Sequence, residues 1–156
     1  MEVRNRKSRR GFTLIEVLLV LVILGMVATI GIVAYTNIQQ GAKIDTTKSL
    51  IDAVTGALKT YNLQVGHFPT DEEGGLGALL TRPTFTNDTL TEKWHGPYLE
   101  KEPLDAWGNK LNYRLDDVDN GTGGKTQAAR VWSNGPDGQD GTDDDIRNWK
   151  DDTTGK

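Results

Sequence analysis

The chain of 156 residues contains no cysteine, which excludes disulfide bonds, thiolate metal sites and cysteine nucleophiles. It has only two histidines, His67 and His95, and their separation of 28 residues fits no metal-binding spacing. Ser133 precedes a glycine-rich loop, but the surrounding residues match neither a nucleophile elbow nor a phosphate-binding loop. We therefore expect no catalytic residues and no enzymatic activity, and we interpret both histidines as structural.

Outside the N-terminus, acidic residues outnumber basic ones by 21 to 13. Residues 1–11 carry five basic side chains and one acidic one, a net charge of +4. The remaining 145 residues carry a net charge of -8, although the whole chain is only at -4. An acidic body is a poor candidate for binding phosphate backbones, so we expect no nucleic-acid partner.

One long apolar run occupies residues 12–34, where 18 of 23 side chains are Ala, Val, Ile, Leu, Met or Phe. As a helix it would measure roughly 35 Å, enough to cross a hydrocarbon core of about 30 Å. A cleaved secretory signal peptide is the alternative, but its core is usually shorter and ends at a small-residue cleavage site. We predict a retained single-pass anchor, with the basic leader cytoplasmic and the acidic body exported.

Glu16 is the only charged residue in this run. A carboxylate in a membrane segment costs about 2.5–3.5 kcal/mol on insertion scales, so it normally has a partner or a function. The simpler interpretation is that Glu16 lies near the interface and reaches water. No Lys or Arg lies between Gly11 and Lys43, so a partner must come from a neighbouring subunit or from a newly formed α-amino group.

Residues 9–17 read Arg-Arg-Gly-Phe-Thr-Leu-Ile-Glu-Val. This motif resembles the signal of prepilins and of type II secretion pseudopilins. The resemblance implies that a prepilin peptidase cleaves between Gly11 and Phe12 and N-methylates the new amine of Phe12. That amine could then neutralise Glu16 of a neighbouring subunit. The leader is thus residues 1–11, the transmembrane and filament-core helix is residues 12–34, and the periplasmic domain is residues 35–156. Many relatives have a proline where this chain has Val33.

Beyond the apolar run, the hydrophobic spacing predicts a long helix and a small sheet. Apolar residues recur every three or four positions from Leu50 to Val65, so we predict one helix from Phe12 to about Leu63. A short helix is expected within residues 71–80 and loops over residues 81–109. Alternation predicts antiparallel strands at residues 110–115 and 126–133, joined by a turn-rich connection over residues 116–124.

Several downstream segments extend the resemblance to the major pseudopilins of type II secretion systems. They are Gly-His-Phe-Pro-Thr at residues 66–70, Gly-Pro-Tyr-Leu at 96–99, Pro-Leu-Asp-Ala-Trp-Gly-Asn at 103–109 and Trp-Ser-Asn-Gly-Pro-Asp-Gly at 132–138. The resemblance implies an α+β, type IV pilin-like fold, with a long N-terminal helix packed on a small antiparallel sheet and a C-terminal calcium loop.

Acidic residues cluster near the C-terminus, where residues 137–145 contain five carboxylates. Calcium takes six to eight oxygen ligands and tolerates irregular loops, whereas the EF-hand spacing is absent here. An acidic, solvated turn is the alternative. The resemblance implies that Asp137, Asp144 and Asp145 bind calcium together with backbone carbonyls, and we leave Asp140 and Asp143 outside the ligand set. Asp116, Asp117 and Asp119 are better explained by a hairpin turn.

By resemblance, the chain is a structural subunit in the bacterial inner membrane that polymerises into a periplasmic pseudopilus and so drives export of folded proteins across the outer membrane. The implied partners are further copies of the chain, minor pseudopilins, the prepilin peptidase, the inner-membrane assembly platform, the outer-membrane secretin and the secreted substrates. The alternatives are a type IV pilus or DNA-uptake competence pilin, which a basic exposed patch would favour, and a signal-anchored periplasmic enzyme.

Overall fold

The computed structural model describes residues 11–119, 121 and 123–150, without the side chains of residues 28–34 and Asn37. The predicted leader thus falls almost wholly outside the described residues, and the predicted membrane segment falls partly outside them. The chain divides into two compact units, the first ending at Gln40 and the second beginning at Gly41.

The longest element is α1, an α-helix over Leu14–Val65. Its backbone is helical at both Gly31 and Val33. The absence of proline before Pro69 explains this length, because proline removes a helix hydrogen bond and clashes with the preceding turn. In the described part of the chain, no helix combines the length and the apolar character needed to cross a membrane.

The second unit holds the remaining elements, which cover one face of the C-terminal half of α1. A 3₁₀ helix spans Gly75–Leu79 and a short helix, α2, spans Asp88–Lys93. The strands are β1 at Asn112–Asp119, β2 at Lys125–Ser133 and β3 at Ile146–Arg147. They form one antiparallel sheet in the order β1-β2-β3.

β1 and β2 pair antiparallel and form a hairpin. Asn112 lies opposite Trp132 at one end and Asp119 lies opposite Lys125 at the other. β3 adds to the far side of β2 through the pairs Trp132 with Arg147 and Ser133 with Ile146. The sheet thus brings the residues that follow β2 back alongside it, which closes the acidic segment 137–145 into a loop.

The hydrophobic core lies between α1 and the sheet. Val54, Leu58 and Tyr61 of α1 are fully buried, at the three- and four-residue spacing of one helix face. They belong to one cluster whose other buried members are Ile51, Val65, Ala78, Leu79, Leu111, Val131 and Ile146. The predicted apolar stripe of the helix is therefore the face that carries the domain.

Two local expectations were wrong, and one strand was missed. β1 continues to Asp119, so Asp116, Asp117 and Asp119 lie on a strand rather than in a turn. Asp116 is held there by ion pairs with Arg114 on its own strand (2.9 Å) and Arg130 on β2 (3.4 Å). Residues 81–109 are not wholly loop, because α2 begins after Asn87, whose side chain caps it. The short strand β3 was not expected at all.

Candidate functional site

The start of α1 is a reciprocal capping arrangement between Thr13 and Glu16. The Glu16 carboxylate oxygen Oε2 accepts hydrogen bonds from the backbone N–H of Thr13 at 3.2 Å and from its hydroxyl at 3.3 Å. In return, Thr13 Oγ1 accepts the backbone N–H of Glu16 at 3.3 Å. This is a capping box, which satisfies N–H groups that the first helical turn leaves without intrahelical partners.

The apolar surface that follows this cap is open in the single chain. Phe12 is 87% exposed, and the large apolar side chains from there to Val27 are all at least 46% exposed. Monomeric soluble proteins rarely expose apolar surface on this scale, so this segment requires a lipid or protein environment. The structure thus places Phe12 and Glu16 at the beginning of an uncovered apolar helix.

In the second unit, the acidic loop brings two of the three predicted calcium ligands together. Asp144 Oδ2 accepts the backbone N–H of Asp137 at 3.2 Å. Its Oδ1 accepts the hydroxyl of Thr142 at 2.6 Å, and that hydroxyl also lies 3.4 Å from Asp137 Oδ1. The single Thr142 proton is donated to Asp144, the nearer acceptor, and the hydroxyl oxygen lies beside both carboxylates.

The third predicted ligand, Asp145, has two differently placed oxygens. Its Oδ2 accepts the backbone N–H of Gly141 at 2.9 Å and pairs with the Arg147 guanidinium at 2.8 Å. Its Oδ1 is buried and has no hydrogen-bond partner in the described part of the chain. The side chain as a whole is only 1% exposed, so this oxygen lacks the compensation that a buried carboxylate normally needs.

These donors fit a hard divalent cation in their chemistry, because carboxylate, hydroxyl and carbonyl oxygens are what calcium prefers. Among the described residues, no three Asp, Glu, His or Cys side chains converge closely enough to hold an ion by themselves. An ion in this loop would thus draw on Asp137 and Asp144, on the unpaired oxygen of Asp145 and on non-carboxylate oxygens such as Thr142 Oγ1.

The pKa of the Asp144 carboxyl lies below its ordinary value of 3.8. The largest cause is the hydrogen bond from the Thr142 hydroxyl, and the backbone N–H of Asp137 adds to it. Hydrogen bonds to the charged form favour ionisation. Asp144 is therefore held as a carboxylate, the form that binds cations.

Two polar side chains next to this loop, buried Asp105 and half-buried Asn148, were not identified from the sequence. Asp105 is 6% exposed and accepts the hydroxyl of fully buried Ser133 at 2.6 Å. Asn148 bonds both to Thr55 of α1 at 3.1 Å and to the backbone of β2. Nothing in the local pattern distinguishes these residues from surface polar side chains, because their partners are 28 and 93 positions away. Thr13, in contrast, could have been found from its Thr-x-x-Glu spacing.

Comparison with known proteins agrees with the processing motif and with the domain. The family model described as "Type II secretion system (T2SS), protein G" matches residues 34–149. The model described as "Prokaryotic N-terminal methylation motif" matches residues 6–32, which include the predicted cleavage junction. Together the two models cover nearly the whole chain.

Curated relatives named type II secretion system core protein G match almost end to end. The protein of Klebsiella michiganensis is 37% identical over 145 residues, which is 93% of this chain and 96% of the relative. That of Dickeya chrysanthemi is 38% identical over 92% of this chain and 88% of the relative. That of Pseudomonas aeruginosa is 34% identical over 93% and 98%.

A crystal structure of the major pseudopilin from the type 2 secretion system of enterohaemorrhagic Escherichia coli matches the fold. The match has a TM-score of 0.50 at 28% identity and covers 73% of this chain and 92% of that chain. The α+β, type IV pilin-like fold and the resemblance found in the sequence are thereby confirmed. The chain belongs to the type II secretion system protein G family, the family of the major pseudopilins.

Proposed function

We propose that this chain is the major structural subunit of a type II secretion pseudopilus, a periplasmic filament that drives folded proteins across the outer membrane. The observation that carries this proposal is the near-complete match to relatives named core protein G, with both the methylation motif and the globular domain included. The competence-pilin alternative is not favoured, since the relatives belong to secretion systems and the body of the chain is acidic.

Assembly follows from the first helical turns. Cleavage between Gly11 and Phe12 would create a positively charged amine on Phe12, four residues before Glu16. In a filament, the apolar surface after Phe12 would be covered by neighbouring helices, and water would be excluded. Glu16 of one subunit would then neutralise the amine of the next, because a buried charge without a partner is strongly destabilising.

Before assembly, the same apolar surface would anchor the chain in the bacterial inner membrane, with the domain from residue 35 onwards in the periplasm. The 23-residue run and the methylation motif support this location. The partners would be further copies of the chain, minor pseudopilins, the prepilin peptidase, the assembly platform, the secretin and the secreted proteins. The chain itself would act mechanically, as a piston or screw, and a cytoplasmic ATPase would supply the energy.

We further propose that the acidic loop binds calcium through Asp137, Asp144 and Asp145. The support lies in the closeness of the Asp137 and Asp144 carboxylates to one hydroxyl, that of Thr142, and in the unpaired, buried Oδ1 of Asp145. Two carboxylates about 4 Å apart repel by roughly 4 kcal/mol at an effective dielectric constant near 20. When bound, calcium supplies the charge that reverses this repulsion, and the loop is held closed beside β2.

A secretion assay tests the main proposal. Cells that encode this chain are deprived of it, and the folded exported proteins are then measured in the periplasm and in the medium. We expect these proteins to accumulate in the periplasm and the wild-type chain to restore their release, while Glu16→Ala does not restore it. Unchanged release in the absence of the chain would contradict the proposed function.

A further inference from the structure

Asp105 is a buried carboxylate with more hydrogen bonds than its turn requires. Its Oδ1 accepts the backbone N–H groups of Trp107 at 3.0 Å and Asn109 at 2.8 Å, which closes the turn between Leu104 and Lys110. These bonds account for one carboxylate oxygen. The other oxygen, Oδ2, is directed away from the turn and towards the end of β2.

The partner of Oδ2 is Ser133. The Ser133 hydroxyl donates to Asp105 Oδ2 at 2.6 Å, and Ser133 Oγ itself accepts the backbone N–H of Gly135 at 3.1 Å. Because Asp105 can only accept from this hydroxyl, the Ser133 proton is directed to Asp105 and the Ser133 lone pair to Gly135. The pair therefore fixes the position of Gly135 at the point where the chain leaves β2.

Gly135 in turn presses against Asp144. The backbone φ of Gly135 is +63°, a value that residues with a side chain rarely adopt. A Cβ at this position would also lie 2.4 Å from the Asp144 carbonyl oxygen and 3.0 Å from Asp144 Oδ2. Only glycine permits such an approach. The backbone and the carboxylate of Asp144 are thus placed by Gly135 on one side and by Thr142 and Asp137 on the other.

We infer that Asp105 and Ser133 are positioning residues for the acidic loop, and that they set its calcium affinity without contacting the ion. This inference rests on the proposed calcium site. The route is Asp105 to Ser133 to Gly135 to Asp144: two hydrogen bonds among buried residues, then the close approach of Gly135 to half-buried Asp144. Residues that orient metal ligands from behind typically contribute 10- to 100-fold to metal affinity.

A purely structural role for this pair makes a different prediction. Thr47 is also fully buried, and it holds the same turn as Asp105, because its Oγ1 accepts the backbone N–H of Ala106 at 3.1 Å. It makes no bond to Ser133 or Gly135. If the pair only stabilises the fold, Thr47→Val should affect calcium binding as much as changes at Asp105 or Ser133. If the pair positions the loop, only the latter changes should affect it.

Isothermal titration of calcium chloride into the full chain in detergent, with folding checked by circular dichroism, distinguishes the two roles. Asp105→Asn keeps an oxygen for the turn but replaces the oxygen that accepts from Ser133 with a donor, and Ser133→Ala removes the hydroxyl. Because either variant could fold poorly, the two are measured separately. We expect a Kd increased 10- to 100-fold in each, and a Kd within about twofold of wild type in Thr47→Val.

Wild-type affinity in Asp105→Asn or in Ser133→Ala would overturn the inference, as would an equal loss in Thr47→Val. Absence of calcium binding by the wild-type chain would overturn both this inference and the calcium proposal. It would leave the pseudopilus function standing, since the secretion assay measures that function independently.

Discussion

Thr13 and Glu16 satisfy each other's hydrogen-bonding groups at the first turn of α1, through three contacts between 3.2 and 3.3 Å. The Glu16 carboxylate therefore has a local role as a helix cap before any neighbouring subunit is present. Its proposed role in assembly is different, because it requires the negative charge and not merely an acceptor. The two roles can be separated by substitution, since glutamine also serves in a capping box.

Glu16→Gln should keep the start of α1 and still fail to assemble. Glutamine offers an acceptor to Thr13 but no charge to the Phe12 amine, and an unpaired buried charge costs about 3–5 kcal/mol. Glu16→Ala should lose both roles. Membrane fractionation should find both variants inserted, and sedimentation of sheared filaments should find neither assembled. Normal filament yield for Glu16→Gln would show that Glu16 acts only as a cap or at the interface.

Processing should occur between Gly11 and Phe12. The basic leader, the glycine–phenylalanine junction and the methylation motif over residues 6–32 lead to this expectation. Intact-mass analysis of membranes should find a chain of 145 residues with a methylated N-terminus when the peptidase is present, and the full 156 residues when it is absent. A mature chain that starts beyond Phe12 would refute the assignment.

Calcium should stabilise the domain. Stabilisation should follow free calcium by mass action, at about 2.7 kcal/mol for a hundredfold excess over the dissociation constant. Magnesium should substitute poorly, because it demands stricter geometry and releases its waters reluctantly. Thermal melting of the full chain in detergent, with calcium, magnesium or chelator, measures this effect.

Matched variants localise the calcium effect. Asp137→Ala and Asp144→Ala should abolish the calcium-dependent shift in melting temperature, while Asp45→Ala, an exposed acid on α1, should not. Tryptophan fluorescence should change on chelation, since Trp132 donates to Asp140 of the loop at 2.7 Å and packs edge-on against Trp149. If chelator leaves the melting temperature of the wild-type chain unchanged, the loop is only a solvated acidic turn.

Tyr61 should make the domain sensitive to alkali. Burial raises the pKa of its phenol well above the ordinary value of 10, and the neighbouring charge of Glu73, which accepts its hydrogen bond at 3.3 Å, adds to the effect. The folded state therefore retains the proton that the unfolded state releases above pH 10. Stability from this group is complete below that pH and falls by about 1.4 kcal/mol for each further pH unit.

Denaturant unfolding between pH 9 and pH 12 checks this slope. In Tyr61→Phe the decline should be shallower by the contribution of one tyrosine, with that of Tyr113, whose pKa burial also raises, still present. An unchanged slope in the variant would show that Tyr61 titrates normally in the folded chain.

The elements that could be predicted from the sequence are those in which apolar residues recur at a regular spacing. The helix was expected from Phe12 to about Leu63 and spans Leu14–Val65, because its buried face repeats every three or four residues. β2 was expected within one residue of its start. β3 was missed because two residues carry no periodicity, and its place depends on pairing with Trp132 and Ser133.

The contacts of the site that join residues far apart in the sequence could not be predicted. The acidic composition of residues 137–145 identified the loop, and in the structure the backbone N–H of Asp137 donates to the Asp144 carboxylate. The pairing of Asp145 with Arg147 and the support from Asp105 could not be predicted. Asp105 occupies an ordinary turn sequence, and only the folded chain shows that its second oxygen is buried against Ser133.

Electron microscopy of filaments sheared from cells that overproduce this chain with its secretion system tests the central claim most directly. The account predicts filaments that contain the processed chain, present for the wild type and absent for Glu16→Gln. Processed chain that stays in the membrane without any filament, in cells whose secretion system is otherwise active, would contradict it.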